Sequence, residues 1–521
     1  MEKHTLLSLL KAKYKPLDGG DTYSGTYGSI PKKGLFTEQL TNRPSKSWPK
    51  AQFLVTSESE QSPHSIPEIV SAFKRMCSGY EKQNQILFLE KDDKTWDVYD
   101  AKGILLGHEE FIEALTSKNK NTECSVNKVF LRAMRTKPFL LLAGISGTGK
   151  SRLVKQMAFD CCPPGELRKD NTTPGNYCLI EVKPNWHDST DLLGYESRIN
   201  GPEYVLTKFV KFLTKAMLYP HTPFFICLDE MNLAPVEQYF AEFLSVLESR
   251  RRISNTITTE ALIDSSVFKD YEQTLKFKLF DIKQEIADYD GSTTSDTSSH
   301  YVKENAIYET LKDHGLRIPE NVIVIGTVNM DETTHQFSRK VIDRAMTIEM
   351  NLPDDNPFMK FYDSNEPGYL DSPADASLFI PKMVYAADAL EELAKDNADK
   401  IEWLKKEIAH ILTEINSRLE ATPFKIAYRV QNELILYFFE QWCDEDRPDK
   451  IESWHTILNS AVDQILIMKV LPRIEGDNEL LEEPLKLLLE LCRDGKYPNA
   501  YKKLKEMAER LEKAQFTSFW P

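Results

Sequence analysis

PFLLLAGISGTGKSRLVKQMAF, at residues 138–159, joins an apolar run to a glycine-rich turn and then to a helical pattern. The apolar run from Pro138 to Gly144 predicts a buried β-strand, and SRLVKQMAF predicts a helix. The turn between them, Gly144 to Ser151, fits the pattern GxxxxGK[ST]. Glycines allow backbone N–H groups to converge on an anion, and the helix N-terminus adds the positive end of a dipole. The segment therefore predicts a phosphate-binding loop between a strand and a helix.

This loop also supplies two side chains with predicted roles on a nucleotide. Lys150 is expected to reach the β- and γ-phosphates, and Ser151 to place its hydroxyl on Mg²⁺. The predicted nucleotide-binding residues are Gly144, Ser146, Gly147, Thr148, Gly149, Lys150, Ser151 and Arg152. We therefore expect a nucleoside triphosphate substrate and a Mg²⁺ cofactor.

A second apolar run, FFICLDE from Phe224 to Glu230, ends in two carboxylates. A strand that ends this way puts both groups at the carboxyl edge of the sheet, where ligands bind in α/β folds. Asp229 suits the Mg²⁺ shell, directly or through water. Glu230 suits the general base that polarises the attacking water. A nucleotide switch that does not hydrolyse would not require Glu230.

A third strand-like run, NVIVIGTVN, ends in Asn329. An amide at that strand tip can orient the water between the carboxylates and the γ-phosphate. Farther along, Arg344 follows Asp343 at the end of a short predicted helix. An arginine there cannot easily reach its own loop, but it can enter a neighbour's site as an arginine finger. Arg339 is the competing candidate, which we interpret as part of a surface salt bridge.

The overall pattern predicts an α/β core with additional segments at both ends. Strands alternate with helices over residues 126–352, which implies a parallel sheet with helices on both faces. Residues 1–125 predict a small α+β domain, with candidate strands near Ile86 and Trp96. Residues 353–521 are mostly helical in pattern.

An insertion at about residues 253–319 interrupts the core between its third and fourth strands. KDYEQTLKFKLFDIKQEIADYD, at residues 269–290, predicts a helical stretch. GSTTSDTSS, at residues 291–299, is low in complexity and is expected to be a disordered tip.

Composition places limits on where the protein acts. No apolar run approaches the roughly 18 residues that a membrane span needs, and the N-terminus lacks a continuous apolar signal core. These features predict a cytoplasmic protein. The formal charge of −15 argues against a surface coated with basic residues for nucleic acid. The first fifty residues are locally basic, either as a solvated face or as a contact for nucleic acid.

Taken together, these motifs resemble those of the AAA+ superfamily. GISGTGKS matches its Walker A motif, FFICLDE its Walker B motif, and Asn329 its sensor-1. More narrowly, LDEMN, GTVNMDETTHQFSRKVIDRA, AYRVQNE and KVLPRIEGD resemble the McrB-type branch, the motor subunits of modification-dependent restriction systems. The resemblance covers about residues 126–475 and does not extend to the N-terminal domain.

The resemblance implies a P-loop AAA+ core with a helical lid, and it assigns further residues. Arg344 would be the finger that acts in trans, and Arg429 in AYRVQNE would be the lid's sensor-2, touching the γ-phosphate. The insertion would be the pre-sensor hairpin, and Asn185 to Gly194 would face the pore of a ring. Within that segment, Trp186 is either a pore-facing aromatic or a buried structural residue.

The resemblance also implies partners. They are a homo-oligomeric ring of six copies, a separate McrC-like nuclease subunit, and DNA selected by the N-terminal domain. Asp100-Ala-Lys102 is similar in form to a nuclease metal site, but we interpret it as a chance match and expect the nuclease to be another protein. The chain reads VNMDETT where the best-known GTP-using relative has an MNTADRS-like segment, which favours ATP over GTP. A protein-remodelling chaperone and a nucleotide-gated assembly scaffold remain the alternative functions.

Overall fold

The structure is a computed structural model that describes residues 127–199, 201–253, 256–280, 295–330, 335–350 and 366–520. It also gives the backbone course of five strands nearer the N-terminus. Two compact units make up the chain, Met1–Asn121 and Thr122–Pro521.

The first unit contains one mixed sheet. Its strands are β1 (Leu35–Gln39), β2 (Gln52–Ser57), β3 (Ile86–Glu90), β4 (Trp96–Asp100) and β5 (Leu105–Leu106). They lie side by side in chain order; β2 and β3 are parallel, and the other neighbours are antiparallel. The strands expected near Ile86 and Trp96 are therefore present. The basic residues of the first fifty positions and Lys102 lie outside the described residues.

The second unit begins with alternating helices and strands. In chain order the elements are α1 (Lys128–Thr136), β6 (Phe139–Gly144), α2 (Lys150–Cys161), β7 (Tyr177–Glu181), α3 (Thr190–Leu193), β8 (Tyr195–Ser197), β9 (Glu203–Val205), α4 (Lys208–Leu218), β10 (Phe224–Asp229), α5 (Val236–Tyr239), α6 (Ala241–Glu248), β11 (Arg251–Ile253), β12 (Thr256–Thr258), β13 (Ala261–Ile263), α7 (Ser265–Asp270), α8 (Glu272–Phe280), α9 (Ser295–His314), β14 (Leu316–Arg317), β15 (Val322–Asn329), α10 (Arg339–Ile342) and β16 (Met346–Glu349). Five of these strands form a sheet in the order β16-β6-β15-β10-β7. Every neighbouring pair in it is parallel, as the sequence predicts.

Alternation along the strands divides the core between the two faces of this sheet. On β6, Leu140 and Leu142 join the apolar cluster that contains α1 and α2. Phe139 and Leu141 join the opposite cluster, which contains α4 and α6. Successive side chains of a strand point to opposite faces, so a strand that is apolar at every position must be covered on both. The expected α/β layer arrangement is therefore present.

The insertion is more ordered at its far end than the sequence suggests. Strands β11 and β12 form an antiparallel pair, as do β13 and β14, and α7, α8 and α9 lie in the chain between β13 and β14. Residues 295–299, which were expected to belong to a disordered tip, form the start of α9. Serine, threonine and aspartate are tolerated near a helix start, where they can hydrogen-bond to backbone groups, and this explains the error. The remainder of that tip lies outside the described residues.

The C-terminal part is helical. It consists of α11 (Ala386–Arg418), α12 (Tyr428–Asp444), α13 (Ile451–Ile465), α14 (Asn478–Leu491) and α15 (Pro498–Ala514), with the antiparallel pair β17 (Glu475–Asp477) and β18 (Phe516–Ser518). Between α13 and β17 the chain passes through a π-helical turn at Leu466–Val470 and a 3₁₀ turn at Leu471–Arg473. Helix α12 packs beside α1, and Arg135 Nη2 lies 2.7 Å from Asp444 Oδ1. Across the described residues, none of the helices combines the length and the apolar character required to cross a membrane.

Candidate active site

The glycine-rich loop leaves the end of β6 and turns into α2. Gly147 and Gly149 have φ angles of 83° and 82°, a left-handed conformation that glycine adopts without a steric penalty. A Cβ on Gly144 would lie 2.5 Å from the carbonyl oxygen of Met350. The glycines of GISGTGKS are therefore required by backbone conformation and by close packing.

Lys150 is drawn back over this loop. Its Nζ donates to the carbonyl oxygens of Gly144 and Ile145, at 2.9 and 2.8 Å. Thr148 Oγ1 also donates to the Ile145 carbonyl, at 3.0 Å. The loop thus curls around a buried ammonium group, and a phosphate bound in the loop would lie beside that charge.

Side chains from three elements converge on Asp229 at the end of β10. Ser151 Oγ donates to Asp229 Oδ1 at 2.6 Å, and Thr327 Oγ1 donates to the same oxygen at 2.7 Å. Thr327 Oγ1 in turn accepts the backbone N–H of Glu230 at 3.0 Å. Since β15 lies between β6 and β10, all three groups meet at one sheet edge. The hydroxyl of Thr327 therefore links the two carboxylate residues.

Sequence reasoning did not identify Thr327. A signal was present, because Thr327 lies two positions before Asn329 and so faces the same side of β15. That signal becomes informative only when β15 is known to lie beside β10.

Glu230 adopts a backbone conformation that is unusual for a residue with a side chain. Its φ and ψ angles are both 51°, in the left-handed region. A residue held there costs on the order of 1–3 kcal/mol, and such strain clusters at functional sites. Asn329 Nδ2 donates to Glu230 Oε1 at 3.1 Å. The amide and the candidate base are therefore in direct contact, as their predicted joint action on a water requires.

These groups line one cavity of about 320 Å³. Its lining consists of Ser146, Gly147, Gly149, Lys150, Ser151, Arg152, Asp229, Glu230, Thr327 and Asn329. Most of the predicted nucleotide and catalytic residues thus meet in one place. Gly144 and Thr148 belong to the same loop without lining the cavity.

Arg344 and Arg429 lie elsewhere. Arg344 Nε is 3.8 Å and Arg429 Nη2 is 2.6 Å from the carboxylate of Glu248. Glu248 also pairs with Lys137, which lies just before the first residue of β6. Lys150 of the phosphate loop lies beyond the last residue of the same strand. A strand of six residues is about 20 Å long, so both arginines lie near the opposite edge of the sheet from the loop.

This location bears on two predictions. It agrees with the expectation that Arg344 cannot easily reach its own loop. It also places Arg429 away from its own loop, so the predicted contact of Arg429 with a γ-phosphate, which stays a prediction, would have to be made in a neighbouring copy. The residue begins α12, and the packing of α12 on α1 carries it to the far edge.

Packing bears on two further predictions. Trp186 is only 6% exposed and packs against Tyr239, with ring centroids 5.2 Å apart, so it is the buried residue and not a pore-facing aromatic. Arg339 donates to the carbonyl oxygen of Pro423 at 3.2 Å and lies over the ring of Phe424. These are the contacts that the described residues give Arg339, and its interpretation as a surface salt-bridge residue stays a prediction.

The oxygen atoms of Ser151 and Asp229 fit a magnesium ion. Mg²⁺ prefers oxygen ligands and is commonly held by one or two protein groups together with waters and substrate phosphates. A hydroxyl and a carboxylate in contact at 2.6 Å beside the loop supply such a pair. The described residues contain no cluster of three or more His, Cys, Asp or Glu that could hold a metal ion.

The parallel sheet flanked by helices, with a glycine-rich loop at the end of β6, is consistent with an α/β nucleotide-binding fold. Residues 386–516 match a protein family described as a domain of unknown function, DUF8727. A crystal structure of a "putative ATPase" from Cytophaga hutchinsonii ATCC 33406 is similar to 67% of this chain and 86% of its own, with 14% identity and a TM-score of 0.35. A likeness this remote says nothing about activity. No curated protein matches the sequence.

Proposed function

We propose that this chain is a Mg²⁺-dependent nucleoside triphosphatase, a motor of the AAA+ superfamily in its McrB-like branch. The main support is the connected set of contacts from Ser151 through Asp229 and Thr327 to Glu230 and Asn329, in one cavity with the phosphate loop. A turn that only bound phosphate would need neither a carboxylate held in a strained conformation nor an amide bonded to it.

The proposed reaction is attack of water on the γ-phosphorus. The water oxygen forms a bond to phosphorus, the bond to the bridging β–γ oxygen breaks, and the products are a nucleoside diphosphate and phosphate. Glu230 accepts the proton of the water, and Asn329 orients both partners. Lys150 stabilises charge on the phosphate oxygens. Bound Mg²⁺, held by Ser151 and Asp229, would neutralise further phosphate charge.

A neighbouring copy of the chain would supply the remaining positive charge. Phosphoryl transfer is accelerated mainly by positioning and electrostatics, and an arginine finger contributes about 10³–10⁵ in rate. Arg344 lies at the edge of the sheet opposite its own loop, and its side chain is 25% exposed. An arginine placed there suits head-to-tail association, which gives a ring when the rotation between copies closes, and we propose a closed ring of six.

The proposed biological role rests on the motif resemblance. In that role the ring drives DNA restriction or antiphage defence with a separate McrC-like nuclease subunit, and residues 1–125 select the DNA. ATP is the favoured substrate over GTP. The same motor could act on protein as a remodelling chaperone, and stimulation of turnover by DNA distinguishes the two.

Steady-state hydrolysis of ATP and of GTP tests the proposal. We would compare the wild type, Lys150→Ala and Arg344→Ala across protein concentrations, with and without duplex DNA. A turnover per protomer that rises steeply with concentration and is lost in both variants would support a shared site. Full activity of Arg344→Ala would refute the assignment of Arg344 as a finger that acts in trans. Full activity of Lys150→Ala would refute the assignment of the phosphate loop as the active site.

A further inference from the structure

Two motifs without a role in the cavity meet at the segment that carries Arg344. The motifs are AYRVQNE at the start of α12 and KVLPR, whose lysine lies in the π-helical turn. Lys469 Nζ donates to the carbonyl oxygens of Asp343 and Ala345, at 2.8 and 2.7 Å. It also approaches the Ile342 carbonyl at 3.4 Å. One ammonium group thus holds the backbone on both sides of Arg344.

Lys469 is completely buried, and its second attachment is to α12. Its Nζ lies 2.9 Å from Oε2 of Glu433, whose other oxygen lies 3.0 Å from Lys137 Nζ. Burial lowers the pKa of Lys469 to about 8, with the Glu433 carboxylate acting in the opposite direction. A buried ion pair is weak evidence for stability, because apolar side chains of similar size often do as well or better. A gain in stability is therefore not sufficient to explain why a lysine is buried at position 469.

Arg473, in the same motif, holds the side chain next to the finger. Arg473 Nε lies 2.9 Å from Asp343 Oδ1, and Arg429 Nη1 lies 3.7 Å from Oδ2. Arg344 itself makes weaker contacts, with Nη1 donating to the Lys340 carbonyl at 3.1 Å and Nε 3.8 Å from Glu248. The backbone of this segment is therefore held firmly, while the guanidinium of Arg344 stays partly exposed.

We propose that Lys469 and Arg473 are positioning residues for the arginine finger. They attach the segment from Ile342 to Ala345 to the helical C-terminal part, so that Arg344 projects toward a neighbouring copy at a defined angle. This inference rests on the proposed action of Arg344 in trans. Because Glu433 shares Lys469 with that segment, the orientation of the finger is coupled to the position of α12.

Lys469→Met tests the proposal in a mixing experiment with Glu230→Gln. Methionine keeps most of the volume and removes the donors, while Glu433 retains Lys137 as its partner. The Lys469→Met protomer keeps an intact loop and general base, so nucleotide affinity should stay within about twofold of wild type while kcat falls at least about tenfold. A Glu230→Gln protomer has an intact finger and can complete the site of its Lys469→Met neighbour.

Restored activity on mixing separates a misplaced finger from general damage. With random assembly at equal amounts, half of the protomers carry the Lys469→Met loop and half of those face an intact finger, so about a quarter of wild-type turnover per protomer should return. Mixing Lys469→Met with Arg344→Ala should restore nothing. Wild-type kcat for Lys469→Met alone would overturn the proposal, as would a folded variant that Glu230→Gln does not rescue.

Arg344→Ala mixed with Glu230→Gln tests the underlying function separately. If this pair fails to complement, the trans site is wrong whatever Lys469 does. The matched control is Lys503→Met, which removes another buried lysine, one whose Nζ lies 2.7 Å from Glu349 at the opposite end of β16. It should lower stability without producing a defect that Glu230→Gln rescues. If Lys469→Met does not fold, Arg473→Met should show the same loss of kcat and the same rescue, and wild-type kcat there would overturn the proposal.

Discussion

Arg344 and Arg429 approach the two oxygens of one carboxylate, that of Glu248. Arg429 Nη2 is 2.6 Å from Oε2, and Arg344 Nε is 3.8 Å from Oε1. Burial alone would raise the pKa of Glu248, but Lys137 and Arg429 hold it below its ordinary value. Two guanidinium groups on one ionised carboxylate leave net positive charge at this edge. Such a surface suits an incoming phosphate group.

Arg429→Ala should therefore act like a loss of the finger and not like a loss of nucleotide contact in the same protomer. We expect kcat to fall about tenfold or more, with nucleotide affinity within about twofold of wild type. Equilibrium binding of a fluorescent ATP analogue, measured beside steady-state hydrolysis, separates the two effects. If Arg429→Ala instead weakens nucleotide binding and Glu230→Gln protomers do not restore activity, Arg429 contacts the nucleotide of its own protomer.

Thr327→Val should slow hydrolysis by about 10–100-fold at saturating ATP. Valine keeps the shape but leaves the Glu230 N–H without its acceptor and removes one donor to Asp229. A lost hydrogen bond to a charged group is worth about 1.5–3 kcal/mol, which corresponds to that range of rates. Steady-state kcat is the measurement.

Thr347→Val provides the matched control for Thr327→Val. Thr347 is fully buried on β16 of the same sheet, and its hydroxyl has no hydrogen-bond partner among the residues that the structure describes. Its replacement should leave kcat unchanged and raise the free energy of unfolding by up to about 1 kcal/mol. Equal losses of rate in both variants would mean that Thr327 acts only through packing.

Glu230→Gln should bind ATP normally and hydrolyse it about 10²–10⁴-fold more slowly. The amide keeps the size of the side chain but cannot accept the proton of the attacking water. Single-turnover hydrolysis and size-exclusion chromatography with ATP would show a ring that persists with unhydrolysed nucleotide. Turnover at the wild-type rate would remove Glu230 as the base and favour a nucleotide-gated scaffold.

The stability of the wild type relative to Lys469→Met should increase between pH 8 and pH 10. Burial lowers the pKa of Lys469 to about 8 in the folded protein, with Glu433 raising it and Lys137 and Arg473 lowering it further, whereas the pKa is near 10.4 in an unfolded chain. In that interval the unfolded state binds the proton and the folded state does not, so stability rises with pH by about 1.4 kcal/mol per unit. Urea denaturation of both proteins at several pH values measures this difference. A difference that is constant with pH would show that the lysine titrates normally.

Most of the cavity could be predicted from the sequence because its parts are local. The loop from Gly144 to Ser151 is contiguous, and its glycines meet backbone requirements that a short segment imposes. Asp229 and Asn329 end apolar strands, and in a parallel sheet such ends meet at one edge. The parallel sheet itself follows from strands that are apolar at every position and alternate with helices.

Residues whose roles depend on distant packing could not be predicted in this way. Thr327 matters because β15 lies beside β10, and Trp186 is buried because Tyr239 comes to lie against it. The position of Arg429 far from its own loop could not be predicted, because a motif states which residue begins a helix and not which edge of the sheet that helix approaches. The position of α12 depends on many contacts with α1 and α11, and Lys469 contacts the segment around Arg344 only because these elements meet there. Short-range stereochemistry thus specified the phosphate loop and the carboxylates at the strand end. The positions of Arg344, Arg429 and Lys469 depend instead on packing between segments that are far apart in the sequence.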